Sequence, residues 1–191
     1  MQPSIDNNQH HHQQNNTHPL THPNRPFLGS SMAGDDGGRP SKTADLDAPL
    51  HVFGFEIDVV SPSLVNGRLR VTPKCCQPFK VLHGGVSALI AEALGSIGAH
   101  VASGFKRIAG VQLSINHIKA ALLGDLLFAE ARPVSVGKTI QVWEVKMWKI
   151  DPSTMEKRAQ LATSRVTLLS NLPVPDNAKE AESILRRHAK L

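Results

Sequence analysis

Residues 83–103 read HGGVSALIAEALGSIGAHVAS, a run in which Glu92 is the only acidic residue and lysine and arginine are absent. A helix this poor in charge is covered on most sides by the rest of its fold. Val86, Leu89, Ile90, Ala93, Leu94, Ile97 and Val101 recur at helical spacing and make a broad core stripe. Gly85, Ala88, Glu92, Ser96 and Ala99 fall together on a flank of that stripe, and all but Glu92 are small. A carboxylate placed there loses much of its water, which is costly unless the group is paired or put to work. Small neighbours leave room for another backbone or for a ligand. The run opens on His83-Gly84-Gly85, where unpaired N–H groups and the positive end of the helix dipole favour negative charge. A developing oxyanion would be stabilised at that point. The competing explanation for Glu92 is a structural carboxylate paired across a subunit interface.

Strand patterns lie on both sides of this helix. Residues 53–60 (FGFEIDVV) and 64–72 precede it, joined by a Ser-Pro turn. Residues 109–118, 125–134, 139–150 and 158–170 follow, punctuated by Gly124, Gly137 and Asp151-Pro152. Trp143, Val145 and Met147 alternate with Glu144, Lys146 and Trp148, as a half-buried antiparallel strand requires. The order predicts an α+β domain in which a curved antiparallel sheet wraps one long central helix.

The chain has 191 residues and 40% hydrophobic content, which suits one modest domain with a tail. Its net charge of +5 comes with no long basic run and few aromatics, so nucleic acid is not an expected partner. Mild basicity fits a substrate that carries phosphates. Residues 1–47, with NNQHHHQQNN at 7–16, hold too few apolar side chains for a core and are expected to be disordered. His10, His11 and His12 would hold a metal only loosely, and low-complexity filler accounts for them. No apolar segment there suits a secretory signal, and Asp6, Asp35, Asp36 and Asp45 against few arginines argue against an organelle transit peptide. No stretch is expected to approach the length of a membrane span. The only cysteines, Cys75 and Cys76, are adjacent, so no disulfide framework is expected and a reducing compartment is implied. No cluster of His, Cys and Asp has zinc spacing, and no metal is expected.

The run Gln77-Pro78-Phe79-Lys80-Val81-Leu82-His83-Gly84-Gly85, followed by Glu92, Ser96, Asn116-His117 and Ser135-Val136-Gly137-Lys138, resembles the hotdog-fold thioesterases. The likeness is to their 4-hydroxybenzoyl-CoA thioesterase-like branch and covers roughly residues 50–172. It implies hydrolysis of an aromatic acyl-CoA thioester, with 1,4-dihydroxy-2-naphthoyl-CoA of phylloquinone synthesis as the expected ester. A fatty acyl-CoA is the alternative, because hotdog pockets vary in ways the motif does not report. A non-catalytic acyl-CoA-binding module is weaker, since Glu92 is intact.

By the same resemblance Glu92 is the catalytic carboxylate, as nucleophile or as general base for water. The Gly84 N–H would bond the thioester oxygen, and Gln77 would orient the carbonyl or the carboxylate. Ser96 would hold the attacking water or support the leaving thiolate. His83 would orient the loop near the thioester or simply cap the helix. Asn116, His117 and Lys119 would line the acyl or pantetheine channel. Ser135, Gly137, Lys138 and Thr139 would flank the pantetheine and nucleotide, with Gly137 permitting close approach and Lys138 supplying a point charge. Lys106 and Arg107 read as ordinary solvated side chains. Coenzyme A is part of the substrate, so no separate cofactor is expected. A Cys76–His83 nucleophile pair has no support in the family. The fold implies an active site formed between subunits, and hence a homodimer or homotetramer.

The chain ends Arg186-Arg187-His188-Ala189-Lys190-Leu191 after a short amphipathic helix expected at 177–185. Ala189-Lys190-Leu191 is a close variant of the Ser-Lys-Leu peroxisomal signal. It implies a peroxisomal protein whose exposed, mobile C-terminus is read by an import receptor. The expected organisation is a tail (1–47), a hotdog domain (48–172) and a C-terminal extension (173–191).

Overall fold

In the computed structural model, which describes residues 41–191, two short helices come first: α1 (Lys42–Leu46) and α2 (Ala48–Phe53). Strands β1 (Phe55–Val60) and β2 (Val65–Arg70) lead to the long helix α3 (Gly84–Ala102). Strands β3 (Arg107–His117), β4 (Leu126–Val136), β5 (Ile140–Ile150) and β6 (Lys157–Leu172) follow, and α4 (Glu180–His188) ends the chain. The six strands make one antiparallel sheet in the order β1-β2-β4-β5-β6-β3. This is the expected α+β architecture, with α3 packed on one face of the sheet.

The expected helix and its limits are present. His83 sits at the N-cap with its Nδ1 accepting from the Gly85 N–H at 2.9 Å, and Ser103 closes the far end. The alternation in β5 resolves as expected: Trp143, Val145 and Met147 are buried, while Trp148 faces outward beneath the Lys157 ammonium. Two glycines set how near α3 lies to the sheet. A Cβ on Gly95 would stand 3.2 Å from Val166, and one on Gly98 would stand 2.5 Å from the buried Trp143 ring. Polar groups under the helix are satisfied in series. The Trp143 Nε1–H donates to Gln141 Oε1 at 3.0 Å, and Gln141 Nε2 donates to the Ala99 carbonyl at 3.2 Å. Ala99, placed on the small flank from its spacing, is therefore fully buried against the sheet.

By length and hydropathy α3 would pass for a membrane span, contrary to the expectation from the sequence; 61% of its apolar window is buried inside the fold. Its apolarity is accounted for by packing on the sheet and against the residues around it.

Four expectations are corrected. The folded chain begins at least as early as Ser41, within the stretch expected to be tail. Ser41 Oγ caps α1, Asp47 Oδ1 caps α2, and the buried Thr43 Oγ1 accepts from the Ile57 N–H at 2.8 Å. Phe53, expected in a strand, closes α2, and Gly54 makes the turn into β1 in a left-handed conformation. The C-terminal residues are part of the packed unit rather than an extension. Leu185 is buried, His188 Nε2 lies 3.0 Å from Asp45 Oδ2, and the Lys190 N–H donates to the Val60 carbonyl at 2.8 Å. The final helix is displaced from 177–185 to Glu180–His188 because Asp176–Ala178 forms a separate 3₁₀ turn. The stretch NNQHHHQQNN and His10, His11 and His12 lie outside the described residues.

The two edges of the sheet are treated differently. Along β1, α1 and the C-terminal segment add bonds: the Lys42 ammonium to the Asp58 carbonyl and the Lys190 N–H to the Val60 carbonyl. Strand β3 is paired to β6 on one side, and its other side carries no strand among the described residues.

The helix–sheet contact makes a prediction with a definite sign. Helix propensity alone would have Gly98→Ala stabilise the protein by about 1 kcal/mol. Overpacking against Trp143 costs about 1–3 kcal/mol and outweighs it. Urea unfolding of Gly98→Ala at fixed protein concentration should show a lowered midpoint with unchanged slope. A raised midpoint would contradict the packing described.

Candidate active site

Helix α3 runs beside the edge strand β3, and Gly84, Glu92 and His117 lie along that seam. At its start, a Cβ on Gly84 would lie 3.3 Å from the His117 ring. Two turns further on, a Cβ on Gly110 would lie 3.3 Å from Glu92 Oε1. A register shift between Gly110 and Gln112 interrupts the strand's regular pairing here. Glu92 is half-buried, and the Ser96 hydroxyl donates to its Oε1 at 2.7 Å. One turn of helix separates the two, the spacing at which such side chains meet. The isolated carboxylate therefore has one hydroxyl partner and no cation against it among the described residues.

A cavity of about 340 Å³ opens at the head of the helix, with Gln77, Gly84, His117 and Lys119 among its walls. Gln77 is held there by a tight loop. Its N–H donates to the Val81 carbonyl and its carbonyl accepts from the Lys80 N–H, each at 2.9 Å, with Lys80 in a left-handed conformation. The Gly84 N–H finds no acceptor among the described residues. It is a free donor at the positive end of a 19-residue helix, on a residue that lines the cavity. The walls of that cavity also include Ser87, which the sequence reading passed over; a polar residue inside an apolar helical run was the available signal.

The remaining candidates divide. Asn116 neighbours His117 in β3 but does not line this cavity. His83 caps the helix and lines a different groove, of about 380 Å³, together with Cys76 and Leu89. Burial, and secondarily the adjacent Cys75, push the Cys76 thiol above its usual range. That is opposite to an activated thiolate, and the His83 Nδ1 is already engaged by the Gly85 N–H. The turn carrying Ser135, Gly137, Lys138 and Thr139 is exposed and lies beside the far end of α3. Gly137 and Lys138 share a basic cavity of about 300 Å³ with Lys106 and Ser103. The 18 residue steps from Gly84 to Ala102 put that end roughly 27 Å from the Gly84 N–H. One chain therefore does not bring the turn to the Gly84 cavity.

Residues 79–156 match the model of the thioesterase superfamily. The chain is 57% identical to 1,4-dihydroxy-2-naphthoyl-CoA thioesterase 2 of Arabidopsis thaliana, over 74% of this chain and 91% of that protein. It is 38% identical to 1,4-dihydroxy-2-naphthoyl-CoA hydrolase of Listeria monocytogenes, over 61% of this chain and 89% of that protein. Among solved structures, a thioesterase from Haemophilus influenzae superposes with a TM-score of 0.56 at 29% identity, covering 65% of this chain and 85% of that one.

Proposed function

Because the chain belongs to the thioesterase superfamily, we propose that it hydrolyses an aromatic acyl-CoA thioester, 1,4-dihydroxy-2-naphthoyl-CoA, releasing the naphthoate and coenzyme A in phylloquinone synthesis. The names of the Arabidopsis and Listeria relatives support the substrate. The observation that carries the chemistry is the unpaired N–H of Gly84, a residue that lines the cavity at the start of α3.

Thioester hydrolysis places negative charge on the carbonyl oxygen as the carbon becomes tetrahedral. A fixed N–H at a helix start stabilises that charge without reorganising. Gln77, on the same wall, holds the carbonyl in line. Glu92 either takes a proton from the attacking water or attacks the carbonyl carbon itself, to be released later by water. Ser96 fixes the carboxylate through its hydrogen bond. The C–S bond breaks, the thiolate leaves, and it takes up the proton at neutral pH.

These groups cannot act on one thioester within one chain. Eight residue steps along α3 separate Gly84 from Glu92, a rise of roughly 12 Å. A carbonyl carbon and its oxygen are a bond length apart. Gln77 and Gly84 of one copy therefore work with Glu92 and Ser96 of another, and a homodimer is the smallest assembly that completes the site. The unpaired side of β3 supports such pairing, since an open edge is a template for a further strand. A homotetramer would repeat the same joint. His117 and Lys119 belong to the Gly84 end, while the Ser135–Thr139 turn between β4 and β5 lies beside the far end of α3, beyond Glu92. A coenzyme A held at the joint would meet cationic groups from both copies.

Ala189-Lys190-Leu191 is proposed as a peroxisomal address. The exposure of Leu191, at 86%, supports it. The Lys190 N–H bond to Val60 must open for a receptor to take the tripeptide as an extended end.

Two experiments test these statements. Thiol release should be measured from dihydroxynaphthoyl-, benzoyl- and straight-chain acyl-CoA. The bicyclic aromatic ester should be preferred, and Glu92→Gln should lower kcat by about a thousandfold with binding retained. Preference for fatty esters would overturn the substrate, and loss of solubility or of the oligomer in Glu92→Gln would make Glu92 structural. For localisation, removing residues 189–191 from an N-terminally tagged chain should move it from peroxisomes to the cytosol with unchanged kinetics. Peroxisomal fluorescence that persists would refute the address.

A further inference from the structure

The cavity beside Gly84 has walls of two kinds. His117 and Lys119 are exposed, whereas Leu127, Met147 and Ala162 are at most 2% exposed. Ser87 also lines it and is only 3% exposed. Its hydroxyl makes no hydrogen bond to any described residue. Among the described residues Asn66 Oδ1 is the one fully covered side-chain atom of this kind without a partner. The Ser87 hydroxyl therefore keeps a small window, and the window opens on the cavity. A hydroxyl this deeply placed is costly to leave unbonded. Alanine and glycine occupy α3 at Ala88, Ala91 and Gly95 and would fill position 87 without that cost.

Ser87 lies three residues after Gly84, so the two share a helix face about 5–6 Å apart. A thioester whose oxygen accepts from the Gly84 N–H places the first ring of its acyl group within reach of the Ser87 hydroxyl. Met147 lines the same cavity, and a thioether makes favourable contacts with an aromatic ring. Coenzyme A would then leave past the exposed Lys119.

We infer that Ser87 determines acyl specificity by hydrogen-bonding a hydroxyl on the aromatic ring of the substrate, with Met147 against the ring. The inference rests on the thioesterase reading above and deepens it. The site selects a hydroxylated aromatic acyl group over the same ring without hydroxyls. The serine acts on the choice of ester and leaves the bond-breaking chemistry to Gly84 and Glu92.

The test compares kcat/KM for 1,4-dihydroxy-2-naphthoyl-CoA and unsubstituted 2-naphthoyl-CoA in the full chain. The unaltered protein should favour the dihydroxylated ester about tenfold. Ser87→Ala should abolish the preference through a fall on that ester alone. Ser87→Thr, which keeps the hydroxyl, should retain it. Ser87→Cys, close in size but a weak donor, should lose most of it and serves if the alanine variant does not fold. Equal losses on both esters, or a preference that survives both Ser87→Ala and Ser87→Cys, would overturn the role of Ser87 while leaving the thioesterase reading standing. No turnover of either ester by the unaltered protein would overturn the aromatic substrate and this inference together.

Discussion

The closeness of α3 to the sheet depends on missing side chains. Gly98 lets the Trp143 ring lie where a Cβ would stand, and Gly95 does the same more gently for Val166. With the helix so near, its broad apolar stripe is sealed against β4, β5 and β6, and the polar relay from Trp143 through Gln141 to Ala99 closes beneath it. The carboxylate is left at the margin. Glu92 emerges at the seam with β3, where Gly110 has no side chain to cover it. Packing thus places the one acidic group of the helix where it is desolvated on one side and open on the other.

Helix geometry then imposes a second constraint. A helix start supplies an unpaired N–H, and Glu92 stands eight residue steps further along the axis. No side-chain rotation closes a gap of roughly 12 Å on a rigid helix. Chemistry that needs both groups at one carbonyl requires two helices. The sheet is built to match. Its β1 edge is bonded by α1 and the C-terminal segment, while the β3 edge beside the candidate site has no strand on its outer side among the described residues.

Long periodic elements were legible in the sequence because their patterns repeat. The ends of α3 could be read from His83 and Ser103, and six strands from alternation and turn residues. The helices α1 and α2 were not read, because five or six residues give no periodic window. Their signals were present all the same: Ser41 and Asp47 as caps, Pro49 at a helix start and Gly54 just beyond the end. The docking of the C-terminal helix was invisible for a different reason. The contact of His188 with Asp45 joins residues 143 apart in the chain, and nothing local encodes it. Within the candidate site, Glu92, Ser96, Gln77 and Gly84 stood out by chemistry and motif. Ser87 did not, because its significance lies in the lack of a bonding partner, which only the folded structure displays.

The central claim is that one reaction centre draws on two copies of the chain. Mixing Gln77→Ala with Glu92→Gln tests it most directly. Each variant alone should be nearly inactive. Co-expressed and randomly assorted, half the dimers are mixed, and each of these holds one site with both defects and one with neither. Thiol release should recover to about a quarter of that of the unaltered protein. Mixtures no more active than the separate variants, in dimers shown to be mixed, would contradict the shared site.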